Sequence, residues 1–419
     1  NAAAGRWLGP TDFGFFVATI TATGLLSQFG LVGSHRSGLR EAARLRGQER
    51  PEAMAVLRNS VRAVSLTTLP AAGMVSGVGA WLLTPQEPPS TRLALAGSVA
   101  LLVVLCGQQQ LWANYVRGLG FVRFASLVEG RSGGALVAGL QATLVLVVWQ
   151  VAPWWGLPGA LGAVALGFAL PVAAARYVVR RRWRHLREPR PRLLRDLRLT
   201  VRRDWRFLSV QVANYLNVNT EIWVAAVLLS AVDTSMYTAG QRLAQLLVLP
   251  LTALQVVFAP VIARMAVRGQ QNDPLEKLLR TGASTATLLT ALLALPMVVA
   301  PGMLLDTVFG PGFRDAMPVL VLLSVGFFGN VATGLTGTTL SMMGREGAAA
   351  QVKWAGAVLR VVVGVPAALV GGLVGLTLSA MTVSIFVFTA MWIRTRREVG
   401  LFTHATLRPE LNLLRRTPG

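Results

Sequence analysis

The distribution of arginine constrains the fold of this chain more than any other feature. Apolar stretches of about 20 residues, the length that crosses a hydrocarbon core, repeat from one end of the chain to the other. Nearly all the arginines fall in alternate gaps between these stretches. The gap at 180–206 holds twelve arginines, whereas the gaps at 84–91 and 301–313 hold no Lys or Arg. Such alternation is typical of a multi-pass α-helical membrane protein with arginine-rich cytoplasmic loops.

Composition supports this interpretation and excludes several others. Hydrophobic residues make up 53% of the chain and charged residues only 14%, whereas a soluble domain has about 25% charged residues. The net charge of +22 is explained by arginines beside anionic lipid head groups, so we expect membrane lipids as partners and no nucleic acid. The single cysteine, Cys106, leaves no disulfide and no Cys/His metal cluster. We therefore expect no metal and no cofactor.

Hydropathy predicts eleven complete spans. They cover 12–33, 54–83, 92–116, 122–149, 157–179, 206–230, 236–264, 277–300, 314–342, 348–369 and 371–394. A Gly371–Gly372 turn is predicted between the last two spans. The positive-inside rule places the arginine-rich loops and the C-terminus in the cytoplasm. The high arginine content and the single cysteine are typical of a protein of the bacterial inner (cytoplasmic) membrane. Prolines inside the spans are candidate hinges: Pro70, Pro171, Pro250, Pro260, Pro296 and Pro366.

The chain also contains an internal repeat. Asp12 aligns with Asp233 and Arg58 with Arg280, about 220 residues apart, in the same order as the helices and loops. This offset makes Asn1–Leu8 the end of a first helix that is mostly missing. About twelve helices, six per half, are then expected, and an even number per half makes the repeats parallel.

The repeat predicts a division into lobes. We expect an N-terminal helical lobe over 1–179, a basic cytoplasmic linker over 180–205, a C-terminal six-helix lobe over 206–398 and a cytoplasmic tail over 399–419. The linker is predicted to include an amphipathic helix on the inner leaflet. Its lipid-facing residues would be Leu193, Leu194 and Leu197.

Three motifs carry a family resemblance. They are Leu-Gly-Pro-Thr-Asp-Phe-Gly at 8–14, Tyr-Thr-Ala-Gly-Gln-Arg-Leu at 237–243 and Gly-Gly-Leu-Val-Gly at 371–375. In this order they resemble the polysaccharide transporter branch of the MOP superfamily, the Wzx-type oligosaccharide flippases related to the MATE exporters. The resemblance implies an all-α, MATE-like, V-shaped bundle that alternates between inward-open and outward-open states. Lipid II flippases usually have helices beyond twelve, which argues against that role here.

The resemblance also implies a function and partners. The transporter would flip lipid-linked oligosaccharide, a polyprenyl-pyrophosphate-linked sugar, from the inner to the outer leaflet for cell-surface polysaccharide biosynthesis. Its partners would be that substrate, a coupling ion (proton or sodium) and the polysaccharide polymerase or other assembly proteins.

Arginines at membrane depth are the first candidates for substrate binding, because they are costly there and bind phosphate in a bidentate way. Arg242 lies near the outer end of its span, where the alternative is snorkelling to the surface. Arg360 lies mid-span, where the alternative is a structural ion pair. Arg36 lies at the end of the first complete span, where the alternative is a side chain that faces lipid. Arg131 lies two residues after Glu129, so the two do not share a helix face.

A polar stripe is the second candidate. Gln211, Asn214, Asn217 and Glu221 fall on one helix face. The hypothesis is that the amides bind sugar and that Glu221 couples transport to a proton or sodium. The alternative is a network between helices, including a salt bridge from Glu221 to Arg242 or Arg360. A further polar cluster comprises Gln108–Gln110 and Asn114, shortly before Arg117. Gln110, Asn114 and Arg117 share a helix face and are expected to meet the incoming head group.

Other functional classes are less well supported. A MATE-like cation-coupled antiporter of small molecules needs acidic residues in its cavity, whereas most candidates here are arginines. A membrane enzyme needs an acid, base or nucleophile cluster, and the spans contain none. A non-transporting scaffold would leave the arginines at membrane depth as an unexplained cost.

Overall fold

The structure, a computed structural model, describes residues 2–45, 51–128, 135–183, 193–268 and 272–406. Helices make up nearly all of these residues, and no strand occurs among them. Within the described residues, every predicted span is largely helical. The spans consist mainly of apolar residues such as Leu, Val and Ala. Inside a membrane the backbone N–H and C=O groups of such a span must be hydrogen-bonded within the protein, which only helices and closed barrels achieve.

Among the described residues, ten helices run from Ala2 to Leu228. They are α1 (Ala2–Leu31), α2 (Ser34–Leu45), α3 (Pro51–Ala63), α4 (Leu69–Leu83), α5 (Pro89–Gly118), α6 (Val122–Val128), α7 (Ala135–Val151), α8 (Gly156–Leu166), α9 (Ala169–Trp183) and α10 (Leu193–Leu228). Seven follow: α11 (Ala231–Ala244), α12 (Leu249–Arg268), α13 (Asn272–Val299), α14 (Pro301–Phe309), α15 (Met317–Thr333), α16 (Thr336–Met342) and α17 (Glu346–Val399).

Among the described residues, seven helices are long and apolar enough to cross a membrane. One of them, α17, has 54 residues and contains two predicted spans, joined at Gly372 with φ 55° and ψ −139°. Only glycine adopts this backbone conformation readily, so the predicted Gly371–Gly372 turn interrupts the helix as expected. The total of eleven spans stays a prediction.

Two of the prolines follow local departures from α-helical geometry. A π-helical turn over Val64–Thr68 precedes Pro70, and a 3₁₀ turn over Gln245–Val248 precedes Pro250. Proline lacks the N–H that an α-helix would use at that position, and the preceding turn changes its hydrogen-bonding pattern instead.

Two predicted loops contain helices. Helix α2 lies in the predicted loop 34–53, and α14 lies in the predicted loop 301–313. In α14, Leu305 and Phe309 are buried, so apolar packing explains why this segment is helical.

The chain forms two compact units. Unit 1 comprises residues up to Gly9 together with Phe16–Tyr215, and unit 2 comprises Pro10–Phe15 together with the chain from Leu216 onward. The boundary between the units, after Tyr215, lies inside α10, which runs without a break from Leu193 to Leu228. The lobe boundary at residue 206 stays a prediction.

Unit 1 has an aromatic and aliphatic core. Trp183 lies 6.2 Å from Trp112 and 6.1 Å from Tyr115, measured between ring centroids. Leu197, which we expected to face lipid, packs partly buried against this core. The predicted linker is described only in part: residues 184–192 and the side chains of Leu193 and Leu194 lie outside the described part of the chain.

Helix α10 is attached to α2 within unit 1. Ser37 donates a hydrogen bond from Oγ to Oδ2 of Asp204 (2.5 Å), and Arg203 donates to both carboxylate oxygens of Asp204 (2.7 and 3.1 Å). The Asp204 side chain is fully buried. These contacts hold the N-terminal part of α10 against α2 within unit 1.

Within unit 2, the segment Pro10–Phe15 packs against residues from the other end of the chain. Phe13 lies 5.3 Å from Phe309 and 5.7 Å from Phe313. The backbone N–H of Gly14 donates to Oγ of Ser235 (2.7 Å), 221 residues later. This separation matches the offset of the predicted repeat.

Part of the predicted tail is also docked on unit 2. We call Gly400–Thr406 the C-terminal strap. Its Leu401 is fully buried. Its backbone donates three hydrogen bonds to two helices: Phe402 N to Glu276 Oε2 (3.1 Å) and Thr406 N to Ser284 Oγ (2.7 Å) in α13, and Ala405 N to Ala332 O (2.9 Å) in α15. Residues 407–419 lie outside the described part.

Candidate functional site

The polar stripe of α10 lies partly in each unit. Gln211 and Asn214 belong to unit 1, and Asn217 and Glu221 belong to unit 2. Each part therefore has its own local partners.

In unit 2, Glu221 forms a buried ion pair with Arg360 of α17. Arg360 Nη1 donates to Glu221 Oε1, and the side chains are only 8% and 2% exposed. This geometry matches the alternative given for both residues in the sequence analysis, a salt bridge between helices. We call Glu221, Arg360, Asn217 and Ser384 the α10–α17 cluster.

The remaining donors of Arg360 are also used. Its Nη2 donates to Oγ of Ser384 (2.9 Å) and its Nε to Oδ1 of Asn217 (3.4 Å). The amide of Asn217 in turn donates to the backbone oxygen of Lys353 (2.5 Å). All three nitrogens of the guanidinium are therefore bonded within unit 2.

Small residues bring α17 close to α10. A Cβ built on Gly356 would lie 2.7 Å from Asn217 Oδ1 and 2.6 Å from Val387 Cγ2. Any larger side chain would push the helices apart, and small residues allow this close packing in membranes. Tyr237 of α11, 1% exposed, interacts electrostatically with both Glu221 and Arg360.

One oxygen of Glu221 remains available. Oε2 is buried and has no hydrogen-bond partner among the described residues. A buried carboxylate oxygen without a partner is costly, so this atom is a candidate acceptor for a proton or a cation. Within the described part of the chain, no group of three or more His, Cys, Asp or Glu side chains could hold a metal.

The unit 1 part of the stripe has different contacts. The Gln211 amide nitrogen lies 3.2 Å from His35 Nε2, and Asn214 Nδ2 donates to Gln211 Oε1 (3.4 Å). The structure thus joins Asn217 and Glu221 to Arg360, and Gln211 and Asn214 to His35.

The other arginine candidates lie elsewhere. Arg242, near the end of α11, is half-buried, and its Nη1 donates to Gln245 Oε1 (3.3 Å). Arg36 lies in α2 and is exposed. Arg131 lies outside the described residues. The cavity roles of all three remain predictions.

The glutamine cluster of α5 bonds between helices of unit 1. Gln28 Nε2 donates to Gln110 Oε1 (2.8 Å), and Gln108 Nε2 donates to the backbone oxygen of Ser65 (2.8 Å). Gln109 Nε2 donates to the backbone oxygen of Val128. These contacts give the cluster a role in packing, and its expected contact with a head group stays a prediction.

Lys353 is not among the site residues predicted from the sequence. It lies seven residues before Arg360 in α17 and is half-buried. Its position near the start of a span resembles that of an ordinary interfacial residue. The signal that could have found it is its rarity: the chain has two lysines among 40 basic residues.

Comparison with known proteins now adds to this geometry. A family model described as "Polysaccharide biosynthesis protein" matches residues 2–266. The chain belongs to this family. Among curated proteins, none matches the chain significantly.

Solved structures of the MOP superfamily have a similar fold. An inward-facing multidrug resistance MATE transporter has a TM-score of 0.67 at 15% identity and covers 100% of this chain and 95% of its own. An outward-facing MATE structure has a TM-score of 0.57 at 17% identity, covering 95% of this chain and 91% of its own. A MOP transporter from Pyrococcus furiosus, whose binding pocket is described as having reverse polarity, has a TM-score of 0.54 at 15% identity, with coverage of 95% and 91%.

These findings confirm the recognised family and the all-α, MATE-like fold class. The chain combines membership of a polysaccharide biosynthesis family with the fold of MOP-superfamily transporters, and seven helices in its described residues are long and apolar enough to span a membrane. The number of repeats, the coupling ion and the orientation in the membrane stay predictions.

Proposed function

We propose that this transporter flips lipid-linked oligosaccharide, a polyprenyl-pyrophosphate-linked sugar, from the inner to the outer leaflet by alternating access, for cell-surface polysaccharide biosynthesis. It would act in the inner membrane with its C-terminus in the cytoplasm, beside the polymerase and other assembly proteins. Family membership supports the polysaccharide pathway.

The observation that supports an anionic substrate is the α10–α17 cluster. Glu221, the carboxylate deepest in a predicted span, is occupied by Arg360. An exporter of organic cations needs an acidic group for its substrate, whereas a pyrophosphate needs cationic groups. Lys353, two turns before Arg360 on α17, adds a positive charge.

The alternative is a MATE-like cation-coupled antiporter of small molecules. The unbonded Oε2 of Glu221 supports it, because that atom can accept a proton or a sodium ion. The same atom is compatible with an ion-coupled flippase.

Reconstitution tests the proposal. The full-length protein would be placed in vesicles with a fluorescent undecaprenyl-pyrophosphate-linked oligosaccharide, and its accessibility to an impermeant quencher followed over time. We expect faster exposure than in protein-free vesicles. The same vesicles loaded with a cationic dye, under a proton or sodium gradient, test the antiporter.

Two controls sharpen the result. A neutral polyprenol bearing the same label should not be accelerated if the pyrophosphate is recognised. Dye export without flipping would contradict the proposal and favour the antiporter.

A further inference from the structure

Lys353 and Arg360, in the N-terminal half of α17, have different surroundings. Arg360 uses Nη1, Nη2 and Nε on Glu221, Ser384 and Asn217. The ammonium of Lys353 has no hydrogen-bond, ion-pair or ring partner among the described residues, whereas its backbone oxygen accepts a hydrogen bond from Asn217. A paired and an unpaired cation therefore occur on one helix.

Lys353 and Arg360 share a helix face. They are seven residues apart, which is close to two full turns and about 10 Å along the axis. Gly356, between them, approaches Asn217 of α10, and Asn217 bonds to the backbone of Lys353. The face that carries Lys353 is thus held towards α10.

The surroundings decide which cation is available to a ligand. A phosphate that took the Nη1 donor of Arg360 would compete with Glu221, and weakening a buried ion pair is costly because each ion depends on its partner. Lys353 loses no partner on binding. Lysine is a compact point charge with three rotatable donors, and it binds phosphate in many sites.

Snorkelling is the other way to explain a lysine near the end of a span. In that case the ammonium would reach water or lipid phosphates along the outside of the bundle. Two observations favour a ligand instead: the residue is half-buried, and its face is the one that carries the buried Arg360.

We propose that Lys353 is a binding residue for the phosphate groups of the substrate, and that Arg360 is a structural residue rather than a ligand. This inference rests on the proposed function, because it assumes a substrate with a phosphate-containing head group. It assigns the head-group contact to a residue that family resemblance did not indicate.

The two lysines allow a direct test on the unmutated protein. Reductive dimethylation with ¹³C-formaldehyde keeps the lysine charge and labels Lys277, Lys353 and the chain's amino terminus. Lys277 is exposed in α13, so it serves as an internal control. Conservative K277R and K353R variants assign the NMR signals.

Farnesyl pyrophosphate, a short polyprenyl pyrophosphate, is the probe, and calorimetry gives its Kd. We expect saturable binding that shifts the Lys353 signal and leaves the Lys277 signal in place. Farnesol should shift neither signal. Inorganic pyrophosphate separates a free anion from a lipid head group: a matching shift shows that the phosphate alone is recognised.

Variants give the second readout. K353Q should raise the Kd by about tenfold or more, as expected for one lost charge-assisted hydrogen bond. K353R keeps the charge and should remain within about threefold of the unmutated protein. K277Q should leave the Kd unchanged.

The outcomes separate this inference from the proposed function. Binding of farnesyl pyrophosphate with a stationary Lys353 signal, and an unchanged Kd in K353Q, would overturn the role of Lys353 and leave the flippase intact. No binding of farnesyl pyrophosphate and no flipping in vesicles would overturn both.

Discussion

Glu221 and Arg360 form a buried ion pair between α10 and α17, although 139 residues separate them in the chain. The pair lies among Asn217, Ser384 and Tyr237. In such surroundings each charge depends on the other, because an ion that loses its partner keeps the full cost of its removal from water. The pair therefore couples the position of α17 to that of α10 within unit 2.

Removing one member of the pair should be more harmful than removing both. We expect Glu221→Gln or Arg360→Gln each to lower the free energy of unfolding by about 3 kcal/mol or more, whereas the double variant should lose less than the sum because no unpaired charge remains. Unfolding by sodium dodecyl sulfate in mixed micelles measures this cycle. A coupling energy below about 0.5 kcal/mol would contradict the pair.

The turn in α17 offers a matched pair of glycines. Gly372 has a φ of 55°, whereas Gly371 lacks a positive φ. Gly372→Ala should cost about 1 to 2 kcal/mol, because L-residues are strained in this conformation. Gly371→Ala should be neutral or slightly stabilising, because alanine favours a helix.

Thermal unfolding of the two glycine variants in the same detergent makes this comparison. A built Cβ meets no atom within 4 Å at either position, so crowding does not confuse the result. Equal losses in both variants would show that the backbone at Gly372 does not require glycine.

The C-terminal strap should contribute to stability through Leu401. This side chain is 0% exposed and lies in a cluster with Leu251, Phe258 and Ile262. Leu401→Ala should lower the free energy of unfolding by about 2 to 5 kcal/mol, the usual cost of a cavity in a packed core. Leu369→Ala, at a site 68% exposed, is the control and should cost much less. Similar losses in both would mean that the strap is not docked.

Local patterns predicted the parts of the fold that depend on local chemistry. Apolar length predicted the helical segments, and the Gly371–Gly372 pair predicted the break in α17, because few other residues tolerate that conformation. The repeat offset matches the 221-residue separation of Gly14 and Ser235, though no local pattern indicated that these residues touch.

Contacts between helices far apart in the chain could not be predicted from the sequence. It offered Arg242 and Arg360 as partners of Glu221 but contained nothing to choose between them, since the choice depends on how α10, α11 and α17 pack. The strap was interpreted as a tail for a related reason. The strap packs Leu401 into an apolar cluster and donates backbone hydrogen bonds to Glu276, Ala332 and Ser284. These partners lie far away in the chain, so the contacts depend on tertiary structure.

The strap also predicts a dependence of stability on pH. Burial, with a contribution from Arg280, lowers the pKa of His404 below its usual 6.5, while Glu276 opposes the shift. Its Nδ1 accepts a hydrogen bond from Trp392 Nε1 (3.3 Å), which requires the neutral ring.

A histidine whose folded pKa is lowered stabilises the protein above the unfolded pKa, and this contribution is lost as the pH falls through the folded pKa. We therefore expect His404→Gln to lose stability relative to the unmutated protein at about pH 7.5 and the difference to shrink towards about pH 5. Thermal unfolding of both proteins across this range measures the difference, which cancels the other titrating groups. A difference that stays constant with pH would show that His404 does not link the strap to protonation.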